Sequence, residues 1–281
     1  MNDRRLTEHR ITAYEHSARE TEHASATIEK YLQAQHSFAA WLDGREVTKD
    51  LTAQWKETLL ESGLSPSTVN GRLAAINGLF RFLGWDDCRV KFLKLQQKAY
   101  RDSARELTQD DYNQLRNTAA QQKNPLLPLL LETICAAGIR VSELKYITVE
   151  AVTRGEAEIR LKGKIRTILL PEKLCRKLRK FAQKEKIVSG AIFRDENGAP
   201  LSRFRIWRMM KKLAAQAGVE PSKVFPHNLR HLFAVTFYRA TRDIAKLADL
   251  LGHSSINTTR IYLRTTGQEH IRQLDRLGLI S

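Results

Sequence analysis

The chain has 281 residues, with 47 Lys+Arg against 31 Asp+Glu and a formal net charge of +16. Hydrophobic residues make up 42%, enough for a sizeable core in one large or two ordinary domains, so disorder along the whole length is excluded. So basic a chain calls for a polyanionic partner, nucleic acid or an acidic membrane surface.

In chain order, the first block is helix after helix. Ile28, Tyr31, Leu32, Phe38, Trp41 and Leu42 recur at helical spacing, and Asp43-Gly44 ends the run. A second helix is predicted from about Thr48 to Glu61, stopped by Ser62-Gly63. A third opens on Ser65 as N-cap, with Pro66 at the first helical position, where its missing N–H costs nothing. Its apolar face is Val69, Leu73, Ile76, Phe80 and Leu83. Asn70, Arg72, Asn77 and Arg81 lie off that face, as contacts to nucleic acid or as a plain solvated face. His9, His16 and His23 recur every seven residues, two turns or roughly 10 Å apart on a helix. That is too far to share one metal, and they read as surface residues.

Residues 95–106 are polar without apolar periodicity and read as a linker between a block at 1–94 and a block at 107–281. Thr108 followed by Asp111 predicts a capping box that opens a new helix. Asn124-Pro125 starts another, apolar and central. After Arg140 the pattern changes. Residues 158–161 and 167–170 are short β-like runs flanking Lys162-Gly163-Lys164, a hairpin with a basic tip that Pro171 closes. Helices resume through Arg179, Trp207, Leu232 and Leu247. The expected fold class is mainly α, a helical first domain followed by a mixed α+β domain with a small antiparallel sheet.

The charge is uneven. Residues 1–100 hold 14 basic and 13 acidic side chains, whereas residues 101–281 hold 33 and 18. Residues 160–186 alone carry eleven basic and two acidic side chains. A solvated surface helix usually mixes signs, so this run fits a phosphate-backbone contact surface better. A basic amphipathic helix with an aromatic face, the mark of a membrane binder, is not found, and aromatics are 7%.

Three cysteines, Cys88, Cys135 and Cys175, are an odd number with no CxxC, which argues against a disulfide framework or a zinc knuckle. The N-terminal MNDRRLTEHR lacks the apolar core of a signal peptide. The longest apolar stretch, residues 125–139, is broken by Glu132 and too short to span a bilayer. The expectation is a cytoplasmic protein of a reducing compartment, with no metal, no cofactor, no membrane and no small-molecule substrate.

Four segments of the basic half carry unusual polar content: GIRVSE at 138–143, LKGKIRTI at 161–168, HNLRH at 227–231, and LLGH ending at His253 with NTTRIY ending at Tyr262. Each alone is weak, since a lone arginine, histidine or tyrosine is more often a surface or packed residue. Together, in this order and spacing, they resemble the tyrosine recombinases, the family of phage integrases, Cre and the Xer resolvases. The resemblance is specific over about 105–281. It is looser over the first block, where SPSTVNGRLAAINGLFRF is similar to the family's core-binding domain.

The resemblance implies a core-binding domain at 1–94, a catalytic domain at 107–281 and a site-specific recombinase acting on double-stranded DNA. Arg140 and Arg230 would clamp the phosphate, His227 would act as acid/base, and His253 would orient the phosphate. Tyr262 would form a covalent 3′-phosphotyrosyl link. The family hairpin reads GKGxKxR, and this one is a residue shorter, so Lys162 and Lys164 both stand as the general acid; the Lys-Gly step and Arg166 favour Lys162. Glu143 would brace Arg140, and His231 would support the site. Tyr238, in FYRA, lacks the histidine spacing of a nucleophile. Asn70, Arg72, Arg81, Lys164 and Arg166 are the expected DNA contacts. The tail at 267–281, with Ile271, Leu274 and Leu277 in a stripe, would dock on a neighbour in a four-subunit synapse.

The chemistry explains the residue types. Displacing an alkoxide from phosphorus builds charge on the non-bridging oxygens, and guanidinium forks bind that charge without deprotonating. A DNA 5′-oxygen leaves well only when protonated, which a lysine can do. A tyrosine hydroxyl, with an ordinary pKa of about 10, needs a nearby base to attack. Two other classes remain beside the recombinase: a type IB topoisomerase-like nicking-closing enzyme, and a non-catalytic DNA-binding protein on the same fold. The second is weakened because every position of the constellation holds a competent residue, and the HNLRH and LGH segments disfavour the first.

Overall fold

The computed structural model describes residues 3–95, 105–122, 124–161, 164–263, 271 and 275–277. The chain divides into two compact units, Met1–Gln97 and Lys98–Ser281.

The first unit is built from helices α1 (Glu8–Glu20), α2 (Ser25–Leu42), α3 (Lys49–Glu61) and α4 (Pro66–Phe82), with a 3₁₀ turn at Asp86–Cys88. Asp43 ends α2 in the left-handed conformation. The side chains of Thr48 and Ser65 cap α3 and α4, with Pro66 in the first turn as its fixed φ allows. Phe38, Trp55 and Phe80 meet at the centre, with ring centroids 4.9 Å apart for Phe38–Trp55 and 6.0 Å for Phe38–Phe80. His9, His16 and His23 are exposed.

Two asparagines of α4 correct the sequence reading. The Asn77 amide is buried; it donates to the Val90 carbonyl at 2.9 Å and accepts from the Val90 N–H at 3.2 Å. Asn70 repeats the pattern one heptad earlier, donating to the Leu93 carbonyl at 2.9 Å and accepting from its N–H at 2.8 Å. Expected among the DNA contacts, Asn70 instead pins the extended segment that follows the helices. Each side chain answers both polar groups of one residue, which leaves no backbone orphan there. Arg72 is half-buried and Arg81 exposed on the same helix.

The second unit begins with α5 (Gln109–Gln121), opened by the Thr108–Asp111 capping box, and α6 (Leu126–Ala137). A 3₁₀ turn (Val141–Tyr146) and α7 (Val149–Arg154) lead into an antiparallel pair, β1 (Glu156–Leu161) and β2 (Lys164–Leu169). Then come α8 (Glu172–Lys184), α9 (Arg203–Ala217), α10 (Pro226–Thr241), α11 (Ile244–Leu251) and α12 (Ile256–Arg260), with a 3₁₀ turn at Ile261–Leu263. Leu130, Leu131 and Ile134 of α6 are fully buried, and α6 is the central helix that the apolar run predicts.

The strands start earlier than the sequence suggests. Leu161 pairs with Lys164, so Lys164 stands in the ladder and not at the tip. Directly opposed residues share a face of a strand pair. Ala157, Ile159 and Ile168 are buried, and Ile165 and Leu169 are exposed. Arg166, paired with Ile159, therefore belongs to the inward face. Lys162 lies outside the described residues, as do 96–104 of the linker and most of the tail. Within the tail, Ile271 and Leu277 are exposed.

The basic run of 160–186 is spread over this hairpin and α8. Leu174, Leu178 and Phe181 bury one face of α8, leaving Lys173, Arg176, Lys180 and Lys184 exposed on the other. Part of the run is already paired within the chain: Arg160 with Glu158, and Lys177 with Glu132. Among the described residues no helix is long and apolar enough to cross a membrane.

Candidate active site

The site forms where the ends of α6, α10 and α11 meet the inward face of β2. Helix α6 stops at Gly138, at φ 59°. A Cβ there would enter the Phe233 ring, so the position needs glycine on both grounds. Arg140 follows at once. Its backbone N–H donates to Glu143 Oε2 at 2.7 Å and its Nη1 to Glu143 Oε1 at 3.0 Å.

Glu143 is 1% exposed and takes more than one guanidinium. Arg166 Nη2 donates to its Oε2 at 2.6 Å, and Arg230 Nη1 lies 3.9 Å from the same oxygen. One buried carboxylate thus stands among three arginines that reach it from three separate segments. Arg166, expected to contact DNA, is instead enclosed here, its Nη1 donating to the Leu250 carbonyl at 3.2 Å. The inward parity of its strand position is the cause.

The spacing in HNLRH is that of one helix face. His227 stands in the first turn of α10; Arg230 and His231 follow at i+3 and i+4, while Leu229 turns into the core. Arg230 is 1% exposed. Its Nη1 donates to the Gly138 carbonyl and its Nη2 to the Leu251 carbonyl, both at 2.7 Å. Burial, then the neighbouring Arg140, pushes its pKa down to about 10, against the pull of Tyr262 and Glu143. It remains a cation at neutral pH.

Helix α11 ends at Gly252, at φ 63°, where a Cβ would meet the Arg166 guanidinium. The next N–H, of His253, closes the helix on the Ala248 carbonyl at 3.0 Å. That turn aims the imidazole between Arg230 and the buried Thr259. Arg230 Nη2 lies 3.1 Å from His253 Nε2, and Thr259 Oγ1 lies 2.9 Å from Nδ1. A guanidinium only donates, so Nε2 accepts and the ring proton sits on Nδ1, toward Thr259.

Burial first, then Arg230, Arg140, Arg166 and His227, holds the His253 pKa at about 4, below its ordinary 6.5. The unfolded chain takes up this proton as pH falls from about 6.5 to about 4 and the folded chain does not, so this contribution to stability is lost on acidification through that window. In a His253→Gln chain the drop in the urea midpoint over the window should be smaller than in wild type. Parallel drops would exclude the histidine as the cause.

Tyr262 lies in the 3₁₀ turn at Ile261–Leu263 and is 7% exposed. Its ring is 5.5 Å from His227, 5.6 Å from His231 and 5.5 Å from His253, stacked on the latter two. His231 Nε2 lies 3.0 Å from the Tyr262 carbonyl oxygen. Tyr238 is partly buried against the cluster of Ala234, Leu247, Leu251 and Tyr262, with Arg242 5.8 Å over its ring. Arg140, His227 and Arg230 open onto a cavity of about 450 Å³, whose wall also includes Arg203 and Trp207 of α9. Sequence reasoning missed that pair because α9 carries no segment of the motif. It also missed Thr259, whose only signal is its place in NTTRIY.

The pattern described as the phage integrase family matches residues 105–269, and that of the phage integrase N-terminal SAM-like domain matches residues 9–87. The chain belongs to the phage integrase family. Its relatives include the tyrosine recombinase XerC of Roseiflexus castenholzii, 30% identical over 270 residues, spanning 88% of this chain and 85% of that one. The tyrosine recombinase XerA of Thermococcus kodakarensis is 29% identical over 88% of this chain and 87% of its own. Among solved structures, the lambda integrase (75–356) dimer bound to a COC′ core site shares the fold with a TM-score of 0.73, at 17% identity over 91% of this chain and 94% of that one. The XerH recombinase in its post-cleavage complex with difH substrate has a TM-score of 0.71, at 18% identity over 88% and 78%.

Proposed function

We propose that the chain is a site-specific DNA recombinase in which Tyr262 attacks a phosphodiester, a 5′-oxygen leaves, and a 3′-phosphotyrosyl link is held until another 5′-hydroxyl reverses the step. The observation that carries the reading is the packing of Tyr262 among His227, His231 and His253 of its own chain, the last of them hydrogen-bonded to the buried Arg230. Nucleophile and clamp then belong to one protomer.

Arg140 and Arg230 take the charge that builds on the non-bridging oxygens, from a site fixed before DNA arrives. His227, exposed at the mouth of the cavity, is the group for the tyrosine proton. With its proton on Nδ1, His253 holds Arg230 in orientation. Lys162, with Lys164 as the alternative, protonates the leaving 5′-oxygen. Glu143 positions the arginines and His231 the tyrosine backbone. The family resemblance supports a core-binding role for residues 1–94, with Arg72 and Arg81 toward DNA, and tail-mediated assembly into a four-subunit synapse. A chain that works on DNA and keeps Cys88, Cys135 and Cys175 as free thiols fits the cytoplasm.

Incubation with nicked duplex DNA followed by denaturing electrophoresis tests the reading. Wild type should leave a protein–DNA adduct whose linked peptide contains Tyr262, and Tyr262→Phe should leave none. An adduct on Tyr262→Phe overturns the assignment.

A further inference from the structure

Thr259 departs from a pattern that other helical threonines of the chain follow. Thr52, Thr133 and Thr153 donate their hydroxyls to the carbonyl four residues back, at 2.8, 2.7 and 2.8 Å. That bond is a common outlet for a helical threonine, and it fixes the hydroxyl as a donor. Thr259 of α12 is fully buried and makes no such bond. Among the described residues, the one hydrogen-bond partner of its hydroxyl is His253 Nδ1, at 2.9 Å. Nothing else fixes which way its proton points.

Thr259 and Tyr262 are three residues apart, about one turn, and both reach the same imidazole. Tyr262 stacks on the face of the ring, centroids 5.5 Å and planes 24° apart, while Thr259 meets Nδ1. At the opposite nitrogen stands a group that cannot change role, because a guanidinium only donates. Arg230 gives two N–H groups to the Gly138 and Leu251 carbonyls and a third to His253 Nε2. With its pKa held at about 4, the ring is neutral at neutral pH and has one proton to place. In the free chain that proton is on Nδ1, and Thr259 accepts it.

A bound phosphate reverses the demand at Nε2. Phosphate oxygens only accept, and one that takes this Arg230 N–H sets its lone pairs against a bare Nε2. The conflict ends when the ring carries its proton on Nε2, which turns Nδ1 into an acceptor that needs a donor. A carboxylate or a carbonyl in place of Thr259 could not supply one. A hydroxyl can, because it both donates and accepts.

We infer that Thr259 is a positioning residue whose hydroxyl lets His253 change tautomer, accepting from Nδ1–H in the free chain and donating to Nδ1 once a phosphodiester occupies the arginine pair. One proton leaves Nδ1 and one is gained at Nε2 by exchange with water, so the charge of the ring is unchanged. The hydroxyl only turns. His253 thereby holds Arg230 in the free chain and is ready to donate to the phosphate in the complex. The inference rests on the recombinase reading, which supplies the phosphodiester.

The test is nitrogen NMR of the full chain, isotope-labelled at histidine, with the His253 signals identified by their loss in His253→Gln. In the free chain Nδ1 should be the protonated nitrogen. Nicked duplex, added to a Tyr262→Phe chain that leaves the phosphodiester intact, should move the proton to Nε2. In single-turnover adduct formation, Thr259→Val keeps the shape, loses the hydroxyl and should be about tenfold slower, with affinity for the duplex unchanged. Thr259→Ser should return the rate to within about threefold of wild type. A Thr259→Val chain as fast as wild type, or a Thr259→Ser chain as slow as Thr259→Val, overturns the inference. So does a proton that stays on Nδ1 in the duplex complex, or a ring protonated at both nitrogens there, and these two outcomes need no variant of Thr259. A wild-type adduct without the tautomer change condemns only the switch. The tautomer change without any wild-type adduct condemns the reaction and keeps the switch.

Discussion

Replacing Glu143 by alanine should cost the second unit about 3–5 kcal/mol, the usual penalty for stripping the partner from a buried charge, read as a fall in the urea midpoint at constant slope. Its carboxylate receives Arg140 and Arg166 directly and lies 3.9 Å from Arg230. Without it, Arg166 and Arg230, 18% and 2% exposed in their side chains, have no other buried carboxylate among the described residues. Total stabilities are about 5–15 kcal/mol, so the loss is a large part of the whole. Glu143→Gln keeps one acceptor and loses the charge, and should fall between. A Glu143→Ala chain that unfolds at the wild-type midpoint would remove the carboxylate as the keystone of the cluster. Adduct formation by whatever stays folded should drop as well, because the arginines would no longer be held in place.

Arg230→Lys should lower the rate of adduct formation by about 10²–10³, the scale for removing one preorganised donor from a developing oxyanion. The guanidinium spans the Gly138 and Leu251 carbonyls and reaches His253 at once. An ammonium is a point donor on a flexible stem and cannot reproduce that fork. The effect should lie in the rate and not in affinity for DNA, since the charge is kept. Single-turnover cleavage of nicked duplex beside anisotropy titration separates the two. Arg230→Lys within threefold of wild type would mean that the clamp is elsewhere.

Much of this site was legible in the sequence because its pieces follow local rules. HNLRH places His227, Arg230 and His231 on one helix face by spacing alone, and LGH carries its own helix stop. Thr108 and Asp111 form the box their spacing predicts, and Ser65-Pro66 open α4 as written. What failed depended on distant partners. Asn70 looks like a free polar residue until the chain returns 23 positions later to offer Leu93. Arg166 looks like a surface cation because a one-residue change of register would place it outside. The pairing of Leu161 with Lys164 decides its side, and the strand pattern alone does not reveal that pairing. Arg203 and Trp207 reach the cavity through the packing of α9, which has no sequence signature. Glu143 was readable as a brace for Arg140, but its service to Arg166 spans 23 residues and was not.

The two carbonyls that seat Arg230 come from positions 92 residues before it and 21 residues after it. This has a consequence for synthesis on the ribosome, which delivers the chain from its N-terminus and lets segments fold as they emerge. While residues from Leu251 onward are still in the exit tunnel, the arginine has only its earlier carbonyl, and the histidine and tyrosine of the last turns are missing. On the recombinase reading, a half-made chain therefore has its proposed phosphate grip unfinished and lacks the proposed nucleophile. On the same reading, a chain stopped before Tyr262 should form no covalent adduct with DNA.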